Sequence, residues 1–129
     1  MSDYFELLPE DIEYLDANYQ GRWHKLAEGS GKHGLIIEGF KIPAGFVQSV
    51  SDLMVLVPSG YPASPIDMFY FDPPLATEDG ADAGALSIEQ HFGRHWQRWS
   101  RHYEWRLGDD DLCRHIEYVS NELQRSPTT

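Results

Sequence analysis

The sequence predicts an α+β domain, with a helix near each end and, between them, a four-stranded antiparallel meander followed by an irregular segment. Three observations predict it. Apolar residues recur at helical spacing near both ends, and runs of strand-like pattern bounded by Gly and Pro fill the middle. A tract of prolines, glycines and acids then breaks the periodicity before the second helix. At 129 residues the chain has the usual size for one hydrophobic core, and no internal repeat is visible, so residues 1–129 read as a single domain.

The first helix is expected over residues 8–18. Pro9 suits a first helical position, Glu10, Asp11 and Glu13 complement the positive end of a helix, and Leu8, Ile12, Leu15 and Tyr19 lie on one side. Gly21 closes it. Two strand-like runs follow, one through Trp23, Lys25 and Ala27, the other through Leu35, Ile36, Ile37 and Phe40, and they look like a hairpin. After the turn at Pro43, Ala44 and Gly45, residues 47–57 alternate as a third strand, with Leu53, Val55 and Val57 on one side. A stiff stretch holding Pro58, Gly60, Tyr61, Pro62 and Pro65 leads into a short aromatic fourth strand at 66–71.

Residues 72–84 contain Pro73, Pro74, Gly80 and Gly84 with several acids and read as an exposed loop. From 87 to 105 aromatic and basic residues interleave without a clear period, with a helical turn expected near 88–92. The second helix is expected at 109–125: Asp109, Asp110 and Asp111 stand at its start, and Leu112, Ile116, Val119 and Leu123 form one stripe.

Composition narrows the function. A net charge of −11 opposes approach to a phosphate backbone, so nucleic acid is not an expected partner. The chain has no long apolar run and an acidic start, and its lone Cys113 cannot form an internal disulfide; a cytoplasmic protein without a membrane span is expected. The basic residues cluster, since Arg94, Arg98, Arg101, Arg106 and Arg114 supply half of the 10 lysines and arginines. That local reversal of sign is the first hint of a contact surface.

The order of elements, together with Val57, Pro58, Gly60, Tyr61, Pro62, Pro65, Phe69 and Phe71, resembles the ubiquitin-conjugating-enzyme fold at its third-strand exit, its Tyr-Pro-x-x-x-Pro turn and its aromatic fourth strand. Trp105, Asp110, Leu112, Ile116, Val119 and Leu123 resemble the tryptophan and helix that follow that family's active site. Phe40, Pro43, Gly45, Tyr61, Pro62 and Asp67, taken with Ser100, Arg101, His102, Trp105, Gly108, Asp110 and Asp111, are similar to a bacterial branch, prokaryotic family E. The resemblance implies a place in bacterial ubiquitin-like conjugation, with a ubiquitin-like protein and its activating or conjugating enzyme as partners, and Tyr61, Pro62, Pro65 and Trp105 as the structural motif. It also exposes a departure. Where a conjugating enzyme has its cysteine, several residues before the tryptophan, this chain has Gln97, Arg98, Trp99, Ser100, Arg101 and His102, and it has no His-Pro-Asn signature.

Each candidate for chemistry has a structural alternative. Cys113, with Arg114 and His115 beside it, is either a thiol nucleophile or an ordinary cysteine on a buried helix. Ser100 and His102 are either a nucleophile and its base or a turn residue and a backbone donor. His91 and His95 have the spacing of two zinc ligands on a helix, but two ligands do not make a site, and neither a metal nor any other cofactor is expected. Trp96, Trp99, Tyr103 and Trp105 either fill the core or, interleaved with arginines, form a contact surface. What the resemblance then implies is a non-catalytic binder whose contacts include Trp96, Arg98, Trp99, Arg101 and His102 around the vacated site; the alternative is a transferase using Cys113 or Ser100.

Overall fold

A computed structural model describes residues 7–28, 32–61, 63–80, 86–100 and 111–125. Helix α1 (Pro9–Tyr19) is followed by β1 (Trp23–Glu28), β2 (Lys32–Lys41), β3 (Val50–Leu56), β4 (Phe69–Asp72), β5 (Leu86–His91), β6 (Arg94–Trp99) and α2 (Leu112–Arg125). The strands form one antiparallel sheet in the order β1-β2-β3-β4-β6-β5. The α+β class holds, but among the described residues the sheet has six strands where the sequence predicts four.

The added pair is a hairpin built from the segment read as irregular. Phe92 and Gly93, its two turn residues, have φ of 54° and 76°, the paired left-handed conformation of a type I′ turn, whose twist matches that of the flanking strands. No helical turn forms at 88–92. Phenylalanine is a poor turn signal because its side chain disfavours positive φ, which is why the hairpin is hidden in the sequence.

Alternation along the strands divides the sheet into two faces. Leu35, Ile37, Leu53, Val55, Phe69, Phe71 and Trp99 face the main core, where the stripe Leu112, Ile116, Val119 and Leu123 of α2 and Leu15 of α1 pack on them. Each buried residue of that stripe contributes about 1.5–3 kcal/mol. The indole of Trp99 stacks on Phe69 with ring centroids 5.6 Å apart. The opposite face carries a second cluster of Ile36, Met54, Tyr70 and Trp96.

The second cluster is closed partly by the sheet itself. The β5–β6 turn reaches the β1–β2 hairpin: Phe92 donates its amide to Glu28 Oε1 at 3.3 Å, and its ring lies so close over Gly34 that a Cβ there would be 2.6 Å from Cε2. Ion pairs sit on the same face, where Arg94 reaches both Asp52 and Asp72 and lies 4.4 Å over the Trp96 ring. On the main face Gln97 is a buried but satisfied amide: Oε1 accepts from the Leu75 amide and Trp99 Nε1, and Nε2 donates to the Leu75 carbonyl. It pins the loop after β4.

Candidate functional site

The starts of both helices meet at the turn after β3. Leu8, at the N-cap of α1, has no polar side chain, so the carboxylate of Asp11 supplies the cap interaction by accepting the Leu8 amide at 3.1 Å. The same oxygen, Oδ2, accepts the phenol proton of Tyr61 at 2.6 Å. Tyr61 Oη in turn accepts the Leu112 amide at 2.7 Å, satisfying a free donor in the first turn of α2. One tyrosine therefore clamps two helix starts.

Asp111 lies beside this clamp. Its Oδ1 accepts the Arg114 amide at 3.1 Å, which makes it the cap of α2; of the three aspartates expected there, Asp109 and Asp110 lie outside the described residues. Cys113, in the same turn, directs its thiol toward the Glu10 carbonyl at 3.9 Å. One carboxylate oxygen each of Asp11 and Asp111 and the Cys113 sulfur all lie within 4.8 Å of one another. Burial, followed by the negative charges of Asp111, Asp11 and Glu117, pushes the Cys113 thiol up to about 12. Burial also raises the Asp11 carboxyl above its ordinary value.

The sequence-derived contact residues are dispersed. Trp96 and Trp99 are both 0% exposed and face opposite sides of the sheet, so in this structure both fill cores and offer no surface to a partner. Arg98 is paired with Glu89, and Arg94 with two aspartates, so these two arginines do not form an uncompensated basic patch. Ser100 follows the end of β6 and is half-buried; Arg101, His102 and Trp105, like Pro62, lie outside the described residues. Pro65 is exposed beside the Tyr61 turn.

The zinc-like spacing of His91 and His95 does not survive folding. They lie on β5 and β6, with His91 opposite Arg94 and His95 opposite Gln90, so they project from opposite faces. His91 Nε2 is 2.9 Å from Glu89 Oε1. Sequence reading missed the meeting of Asp11 with Asp111. Each looked like a helix-start acid; Tyr61, bonded to Asp11 and to the Leu112 amide that follows Asp111, is what brings the two helix starts together.

The model of prokaryotic E2 family E matches residues 7–126, nearly the whole chain, including both helix starts and the Tyr61 turn. The chain belongs to prokaryotic E2 family E. Searches of curated proteins and of solved structures returned no match. Membership of family E suggests a role in bacterial ubiquitin-like conjugation. No helix among the described residues of this family E chain is long and apolar enough to cross a membrane. Its single cysteine stands at the start of α2 among carboxylates, in surroundings that oppose the thiolate needed for thioester chemistry.

Proposed function

We propose that this family E domain has the ubiquitin-conjugating-enzyme fold and serves as a non-catalytic docking protein in the cytoplasm. It binds a ubiquitin-like protein, or the activating or conjugating enzyme that handles it, without carrying the tag covalently. The state of Cys113 is the observation that carries this reading. A transfer cysteine needs a thiolate favoured by nearby positive charge, whereas this thiol is partly buried, faces three acidic side chains and is raised to about 12.

The exposed side of α1 supports a docking role. Glu10, Glu13 and Asp16 are exposed there with Ile12, 38% exposed, and the helix contains no basic residue. A basic partner face with a small apolar contact complements such a surface. Arg98 on β6 remains a candidate contact, as do Arg101 and His102 a few positions further along the sequence.

The test is to incubate the protein with an activating enzyme and ubiquitin-like protein from the same operon and ATP, and then to separate the products without reductant. Co-purification of a stable complex with no covalent adduct is expected, and Glu13→Arg weakens the complex. An adduct lost in Cys113→Ala or Ser100→Ala would establish the transferase instead.

A further inference from the structure

We propose that Asp11, Asp111 and Cys113 form a binding site for a divalent transition-metal ion of the zinc type at the junction of the two helix starts. The three side chains already converge, with their ligand atoms within 4.8 Å of one another. In a tetrahedral zinc site, bonds of about 2.0–2.3 Å set neighbouring ligands about 3.5 Å apart, so a contraction of roughly an ångström would close them around an ion.

A second observation points to a ligand. Asp11 is 0% exposed, yet among the described residues its Oδ1 has no hydrogen-bond partner, while Oδ2 is held by Leu8 and Tyr61. A buried carboxylate oxygen left without a donor is costly, and a cation supplies what is missing. The flanking bonds also suit a ligand set. The Tyr61 phenol and Leu8 amide fix one carboxylate, and the Arg114 amide fixes the other, as outer-shell donors do for metal-bound carboxylates.

The donor types select the ion. Calcium and magnesium take oxygen ligands, whereas a thiolate with two carboxylates suits zinc or cobalt, with solvent completing the coordination. On binding, the Cys113 S–H bond breaks, a sulfur–metal bond forms and the proton passes to solvent. Burial and the neighbouring carboxylates hold the thiol protonated, and the ion neutralises the carboxylates as it binds.

The experiment uses untagged full-length protein stripped with a chelator and titrated with Co(II) alone. One equivalent is expected to bind with a thiolate-to-cobalt charge-transfer band, and Zn(II) is expected to displace it. The band disappears in Cys113→Ser, and Asp111→Asn lowers affinity at least about tenfold. Asp11→Asn is expected to act likewise, but because Asp11 also anchors α1, Cys113→Ser and Asp111→Asn are the deciding variants. Absence of the band, or Co(II) affinity unchanged in Cys113→Ser, overturns the site and places any binding on the histidines.

Discussion

His115 Nε2 donates to the carbonyl oxygen of Met68 at 2.7 Å, tying the buried side of α2 to a non-glycine residue whose φ is 62° just before β4. Left-handed backbone at such a residue costs about 1 kcal/mol or more, and the bond helps to hold it in place. Burial drives the His115 pKa down to about 4, because the imidazolium has lost its water.

That depression sets an acid limit on stability. Between pH 6.5 and about 4 the unfolded chain takes up a proton that folded His115 refuses, so stability falls as pH falls through this window. The contribution reaches about 3 kcal/mol at most. Urea unfolding at neutral and mildly acidic pH is expected to show the decline, and His115→Gln, which retains a donor without a titrating ring, is expected to flatten it. An equal slope in the variant would assign the acid sensitivity to other groups.

Tyr61→Phe removes a donor from the buried Asp11 carboxylate and an acceptor from the Leu112 amide. A loss of about 1–3 kcal/mol is expected for leaving such groups unsatisfied. Hydrogen exchange should locate the damage, with the Leu112 amide exchanging faster while amides in β2 and β3 change only with global stability.

Gly34→Ala tests closure of the sheet. The new methyl would lie 2.6 Å from Phe92 Cε2, and the ring must move, at a cost of about 1–3 kcal/mol. Phe92→Asn removes the ring and keeps a residue suited to positive φ before Gly93. In that background Gly34→Ala should cost measurably less; additive effects in the double-mutant cycle would contradict the contact.

Cys113 should be a slow nucleophile. With its pKa at about 12, iodoacetamide alkylation of the chelator-treated native protein at pH 8 is expected to be roughly a hundredfold or more slower than that of the urea-unfolded chain. Because folding favours the neutral thiol, this group's contribution to stability is complete below the ordinary thiol pKa and is lost as pH rises from there toward 12. Rapid native alkylation would also weaken the docking reading, since it would reveal an available thiolate.

Local pattern was enough for much of the fold. The stripe Leu112, Ile116, Val119 and Leu123 marked α2, Pro9 and its acids marked α1, and the resemblance that located the family rested on residues such as Tyr61 and Phe69. Such signals are legible because helix and strand periods are repeated between neighbours in the chain. The β5–β6 hairpin was not legible, since its turn places Phe92 in a conformation whose compensation, packing over Gly34, comes from a distant strand. The same holds for the indoles: composition left Trp96 and Trp99 divided between core and contact surface, and only strand pairing buried them on opposite faces. The junction of Asp11, Tyr61, Asp111 and Cys113 likewise depends on two helices converging on one turn, a long-range geometry that spacing along the chain does not encode.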